Sequence, residues 1–184
     1  EQILNLGITT VREEDIRYAS EKGYRIKLTP SIHRLEENKI TAFVLPSFVK
    51  KTSQLYKVEN EFNGVIVEGR FSGEQFLQGR GAGSLPTGAA VLSDISALSY
   101  GYKYEFKKHV QKHATEFTDN AILDIYLRYH SLVDLESIEF LEISERYTGG
   151  EYNYVTGKIN LKTLHEQRDY ILKNRLFVAL LNDR

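Results

Sequence analysis

The stretch Gly79-Arg80-Gly81-Ala82-Gly83-Ser84-Leu85-Pro86-Thr87-Gly88-Ala89-Ala90-Val91-Leu92-Ser93-Asp94-Ile95 decides how the chain is read. Glycines at alternate positions 79, 81 and 83 precede a serine, a proline and a run of small apolar residues. The order predicts a strand end, a tight loop and a helix start. Glycine permits positive φ and lets a ligand approach the backbone closely. Pro86 suits a first helical turn, where its missing N–H costs nothing, and Ser84 is placed to cap it. Ala89, Ala90, Val91, Ile95 and Leu98 then form a narrow, close-packing helix face. The N–H groups at such a terminus can hold an anion or a polar ligand. The same pattern also fits a βα turn that binds nothing.

The loop is not the dinucleotide fingerprint. That motif needs Gly-x-Gly-x-x-Gly after a first strand and an acidic residue about 20 positions on. Here Asp94 falls inside the predicted helix. A cofactor meeting this loop would do so from outside the main nucleotide-binding fold.

The pattern Gly-x-Gly-Ala-Gly-x-x-Pro-Thr-x-x-Ala-Val-x-x-Asp-Ile resembles the loop and helix of the homoserine dehydrogenase substrate domain. The likeness extends upstream through Gly7-Ile8-Thr9, Asp15-Ile16 and Gly23-Tyr24-Arg25-Ile26-Lys27-Leu28. It continues in Val58-Glu59-Asn60-Glu61-Phe62-Asn63-Gly64-Val65, where the family commonly has Asn-x-x-Asn-Ala-Val. It spans residues 6–98. The resemblance implies NAD(P)-dependent interconversion of L-homoserine and L-aspartate 4-semialdehyde, a step towards threonine and methionine. It places NAD or NADP on a Rossmann domain upstream of Glu1, together with the catalytic lysine and the acidic residues around homoserine. No catalytic residue is therefore assigned within the chain, and the chain alone is expected to be inactive. The family's loop lies near the nicotinamide, so Gly81, Ala82 and Gly83 are carried over as cofactor-binding positions. Thr87 matches the motif without a direct ligand role, and Gly88 stands where the family often has Ala or Ser.

Composition narrows the alternatives. The 184 residues are 41% hydrophobic, enough for a core, and the net charge is −1. No overall field favours nucleic acid or an anionic membrane. No apolar run approaches a membrane span and no signal-peptide pattern is present. Zero cysteines exclude disulfides and fit a cytoplasmic setting. Zero methionines and a first residue of Glu1 suggest a trimmed or engineered piece, consistent with an upstream domain.

Along the chain, Thr10-Val11-Arg12-Glu13 reads as a capping box opening a helix to Lys22, with Gly23 as its stop. Tyr24, Ile26 and Leu28 alternate with Arg25 and Lys27 as a strand, which Ile32–Leu35 continues. Glu36-Glu37-Asn38-Lys39 turns into a return strand, which Pro46 should end. Lys50 and Lys51 form a small basic spot that reads as solvated loop. Leu55 and Val58 mark a short helix or turn. Strands over 64–69 and 75–78 flank Ser72-Gly73 and lead into the glycine loop. This predicts an α+β fold, a mostly antiparallel sheet with helices on one face. Residues 1–100 form the substrate-domain part.

Residues 101–119 read as a linker. Tyr102-Lys103-Tyr104-Glu105-Phe106-Lys107-Lys108-His109 interleaves basic and aromatic residues, as single-stranded nucleic acid sites do, but one segment on a neutral chain argues against that use. His109 and His113 could share a helix face, yet no third metal ligand is evident, and no metal site is assigned. Residues 120–184 read as strand, a turn or short helix over Ser131 to Ser137, strand, Gly149-Gly150 hairpin, strand, helix and strand. This βββαβ order resembles a ferredoxin-like, ACT-like module with its first helix reduced. The family's usual Asp-x-x-Gly turn is replaced by Ser131-Leu132-Val133-Asp134, which argues against an effector pocket there. Asp124, Glu136 and Glu139 form no acid–base pair, and Glu142 and Glu145 read as solvated. The alternative to an enzyme part is an amino-acid-binding regulatory or oligomerisation module. The expected partners are L-homoserine and further copies of the chain as a homodimer or larger homo-oligomer, without nucleic acid or membrane.

Overall fold

A computed structural model describes residues 3–36, 38–102 and 115–181. The basic-aromatic run beyond Tyr102, with His109 and His113, lies outside these. The chain divides into two compact units, one of residues 1–50 with 113–184 and one of residues 51–112. The boundaries read from composition, at 101–119, do not coincide with this division.

The first unit is built on one eight-stranded sheet, with β1 (Leu4–Asn5), β2 (Tyr24–Glu36), β3 (Lys39–Lys50), β6 (Glu116–Phe117), β7 (Ile122–Tyr129), β8 (Glu142–Thr148), β9 (Asn153–Asn160) and β10 (Phe177–Leu181). The sheet order is β1-β3-β10-β7-β9-β8, with β2 and β6 also on β3. β2 and β3 make a long antiparallel hairpin, while β3 runs parallel to β1, β6 and β10. The β3–β10 ladder joins Leu180 to Ser47 and Leu181 to Phe48, so strands from both ends of the sequence share one sheet.

β3 passes through Pro46 rather than ending there. The Val44 carbonyl accepts the Leu6 N–H at 2.9 Å, so Val44 and, two residues on, Pro46 turn their backbone groups to the β1 side. Pro46 falls where β3 leaves β1 and meets β10 at Ser47, and no ladder bond is demanded of it. Pro30, opposite Val44, turns its missing N–H to the outer edge of β2, a position that proline tolerates.

Period-two alternation sorts the core. Ile125, Leu127, Val155 and Ile159 join Leu4, Phe43 and Leu45 on one face, covered by α3 (Leu132–Glu136), α4 (Leu161–Glu166) and α5 (Arg168–Lys173). Tyr126, Tyr154, Phe177 and Phe48 meet Tyr18 and Ala19 of α1 (Glu13–Glu21) on the other. Within residues 122–181 the order is βαββαβ, with antiparallel strands arranged β10-β7-β9-β8. That is the split βαβ, ferredoxin-like arrangement, and of the turn or short helix expected after β7 the structure has the helix, of five residues. The helix expected from Lys162 is two short ones that meet at Gln167.

α1 also starts later than the Thr10 box implies. Arg12 is its N-cap, and the Arg12 N–H donates to the Asp15 carboxylate at 2.8 Å. The Thr10 carbonyl is held instead by Arg128 Nη2 at 2.7 Å. Gly23, at φ 74°, ends the helix as expected.

The second unit holds a turn of 3-10 helix (Gln54–Lys57), the hairpin β4 (Phe62–Gly69) and β5 (Gly73–Arg80), and α2 (Ser84–Ser99). β4 and β5 pair in continuous antiparallel register from Phe62↔Arg80 to Gly69↔Gly73, as a separate two-stranded sheet. No residue of α2 is buried, so the predicted packing face, with Val91, Ile95 and Leu98, is exposed within this chain.

Candidate functional site

The glycine loop sits between β5 and α2. The Gly81 N–H donates to the Glu61 carbonyl at 2.8 Å, which anchors the loop to the start of β4. A Cβ at Gly81 would collide with the Asn63 side chain, whose Cγ would lie 2.8 Å away. A side chain at Gly81 would thus require the Asn63 side chain to move. Gly83 has φ 110°, a region that L side chains rarely adopt, and it is the N-cap of α2. Ser84, expected as the cap, is the first helical residue, and no side chain caps the helix.

The consequence is a set of exposed donors. Ser84 and Leu85 occupy the first turn, where backbone N–H groups have no intrahelical partner. Pro86 contributes none. The positive end of the helix dipole adds to their pull on an electronegative group. The Thr87 hydroxyl is already committed, donating to the Gly83 carbonyl at 2.8 Å. Arg80, which closes β5, lies 3.7 Å from the Glu61 carboxylate and 5.4 Å from the centre of the Phe62 ring. Gly81, Ala82 and Gly83 are all exposed. The loop therefore presents backbone donors and a close-approach surface. It carries no side chain able to take or give a proton in a reaction. Asn63 is the residue that the loop reading missed, though it stands in the Val58–Val65 segment already singled out.

The most buried polar cluster lies in the other unit. Asp15 and Arg128 are 0% and 1% exposed, and Arg128 Nε donates to both Asp15 oxygens at 3.0 and 3.1 Å. The Tyr126 hydroxyl donates to the same carboxylate at 3.2 Å. Burial pushes the Asp15 carboxyl above its usual range against the pull of Arg128, and burial with Asp15 alongside pushes Tyr126 up as well. The cluster ties α1 to β7 and opens to no solvent, so its role is structural. No local signal pairs residues 113 apart in sequence.

Near α3, the Asp134 carboxylate accepts from the Ser131 N–H at 2.9 Å, the His130 N–H at 3.1 Å and the Tyr170 hydroxyl at 3.0 Å. Burial works against its charge, but these donors hold its pKa below the ordinary value. The Ser131–Asp134 segment is thus a capping box. Glu142 pairs with Lys158 at 2.6 Å, and Glu145 accepts from the Tyr154 hydroxyl at 2.8 Å. Among the described residues no group of His, Asp and Glu could hold a metal ion. No helix there is long and apolar enough to cross a membrane.

The α+β scaffold thus presents an exposed glycine loop at a helix N-terminus. The homoserine dehydrogenase family model matches residues 1–96, just over half the chain, and the chain belongs to that family. Homoserine dehydrogenase of Bacillus subtilis is 39% identical over 92 residues, which are 50% of this chain and 21% of that protein. The Helicobacter pylori enzyme is 40% identical over 99 residues, 54% of this chain and 23% of that protein. Among solved structures, a homoserine dehydrogenase from Thiobacillus denitrificans superposes with a TM-score of 0.68 at 24% identity, over 99% of this chain and 48% of that one. One from Staphylococcus aureus at pH 6.5 superposes at 0.57 with 26% identity, over 100% and 47%. The first of these shows the shared fold. The chain spans about half the length of these solved relatives, and its sequence matches cover about a fifth of the curated ones.

Proposed function

We propose that this chain is the substrate-domain part of a homoserine dehydrogenase that interconverts L-homoserine and L-aspartate 4-semialdehyde with NAD or NADP. Family membership over residues 1–96 is the observation that carries the reading. The hydride chemistry belongs to the nicotinamide when it is bound. This chain's contribution is orientation. The exposed N–H groups after Gly83 fit the polar edge of a nicotinamide, and the absence of side chains at Gly81 and Gly83 leaves the backbone approachable. The Asn63 side chain lies where a side chain at Gly81 would be.

On this reading residues 1–184 alone give no turnover, because the proton-transfer groups and the main nucleotide site lie elsewhere in the protein. The test is homoserine-dependent NADP reduction by the 184-residue chain and by a protein joining it to the family's nucleotide-binding domain. Activity only in the joined protein supports the proposal. Activity in the chain alone, or none in a folded joined protein, overturns it. The joined protein works as a cytoplasmic homodimer or larger homo-oligomer. The division of labour runs with sequence, residues 1–100 serving the substrate site and 120–184 an ACT-like role.

The ferredoxin-like arrangement of residues 122–181 favours a second reading for that part, an amino-acid-binding regulatory module. Because it shares a sheet with residues 1–50, the measurement belongs on the whole chain. A threonine-dependent rise in melting temperature supports it, since a ligand of the folded state stabilises that state. No rise at saturation rejects it.

A further inference from the structure

One face of the β4–β5 hairpin is bare where it approaches the glycine loop. Asn63 stands directly opposite Gly79 in the antiparallel ladder, so the two share a face of the hairpin. Gly81, two residues on, extends the ladder through its N–H bond to the Glu61 carbonyl and falls on the same face. Both positions opposite and diagonal to Asn63 on that side therefore lack a side chain.

The two glycines differ. At Gly81 the Asn63 side chain takes the space of a Cβ. At Gly79 nothing lies within 4 Å of a Cβ, and the residue sits in regular strand without a positive φ. Neither a neighbour nor the backbone conformation asks for glycine there. The result is a strip of exposed backbone at Gly79 with the Asn63 carboxamide beside it. That carboxamide is itself exposed and makes no hydrogen bond to a described residue. It offers donors and an acceptor in one plane.

We propose that Asn63 binds the cofactor by pairing with the carboxamide of the nicotinamide, the ring lying on the Gly79 backbone. This rests on the proposed function, which takes the nicotinamide to lie at the loop. A flat ring needs bare backbone to lie against. A primary carboxamide at its edge is matched by a second one in both directions, Asn63 Nδ2 donating to the nicotinamide carbonyl and Asn63 Oδ1 accepting from its amino group. Two bonds at that edge fix the rotation of the ring, and with it the face turned towards homoserine.

Equilibrium binding to the joined protein, followed by calorimetry, tests it with two ligands. One is NADP. The other is its 3-acetylpyridine analogue, which keeps the carbonyl and carries a methyl group in place of the amino group. Wild type is expected to bind NADP about fivefold more tightly than the analogue. Asn63→Ala removes an exposed side chain that holds no hydrogen bond, so it should stay folded. It should weaken NADP about tenfold and bind the two ligands alike. Gly79→Ala places a methyl group under the ring and should weaken both ligands about tenfold, with its circular dichroism unchanged. Asn63→Ala with wild-type affinity for NADP overturns the proposal. So does a loss of affinity that leaves the wild-type preference intact, which would make Asn63 a support of the loop alone. Wild-type affinity in Gly79→Ala overturns the placement of the ring. The proposed function survives each of these results, because its own test is homoserine-dependent NADP reduction by the unaltered joined protein.

Discussion

Asp15 and Arg128 show what one buried pair can impose. Each is sealed from water, and Arg128 Nε reaches both Asp15 oxygens across two elements far apart in sequence, while Arg128 Nη1 is buried with no hydrogen-bond partner among the described residues. Removing one partner leaves a charge in a dry interior, which typically costs about 3–5 kcal/mol. Arg128→Met is therefore expected to lower unfolding free energy by about that amount in urea titration, with Asp15→Asn/Arg128→Met recovering part of it. Equal stability of the single variant and wild type would show that the pair is not closed in solution. Gly81 makes a second residue-scale case. Its Cβ would press on the Asn63 side chain, so Gly81→Ala should destabilise the second unit, and Asn63→Ala should relieve much of the loss. Additive effects in that double-mutant cycle would contradict the contact.

At the scale of elements, α3 depends on its cap. The Asp134 carboxylate, as the charged form, accepts two backbone N–H groups and a tyrosine hydroxyl. Its folded pKa lies below the ordinary 3.8, so its contribution is fully present above that value and is lost as pH falls through the folded one. Asp134→Ala should cost about 1 kcal/mol at neutral pH, and the difference from wild type should shrink on acidification below the ordinary carboxylate value. A difference independent of pH would contradict the charged cap. In α2, Gly88 has nothing within 4 Å of a Cβ, so Gly88→Ala should stabilise the helix by about 0.5–1 kcal/mol. Helices and strands were mostly legible because Gly23, Ser72-Gly73 and Gly149-Gly150 punctuate them, and Tyr24 to Leu28 and Leu123 to Leu127 alternate. The exceptions have local causes. Pro46 looks like a strand end until the passage from β1 to β10 is known. Thr10-x-x-Glu13 matches a capping box, but Arg128 claims the Thr10 carbonyl from far along the chain.

For the whole molecule, the parallel β3–β10 ladder is the decisive and least legible feature. Periodicity reports which face of a strand is buried, not which distant strand lies beside it. The sequence thus suggested a break at residues 101–119, whereas residues 1–50 and 113–184 share both hydrophobic clusters. Those residues should accordingly unfold together. Hydrogen exchange is expected to give β3, β7 and β10 one common opening free energy, and markedly different values for β3 and β10 would separate what the sheet joins. The glycine loop was readable as a loop and as a helix start, because glycine spacing and Pro86 are local signals. The ligand-facing role proposed for it rests on family membership and exposed donors together. Ala82 tests that role most directly, since it is exposed and its N–H makes only a long 3.4 Å bond to the Glu61 carbonyl. The measurement is homoserine-dependent NADP reduction by the protein joining this chain to a nucleotide-binding domain, for wild type, Ala82→Val and Gly88→Ala. A KM for NADP raised about tenfold or more in Ala82→Val, with Gly88→Ala unchanged and both variants folded, is the predicted result. Unaltered kinetics in Ala82→Val would contradict the account and leave the loop a structural turn.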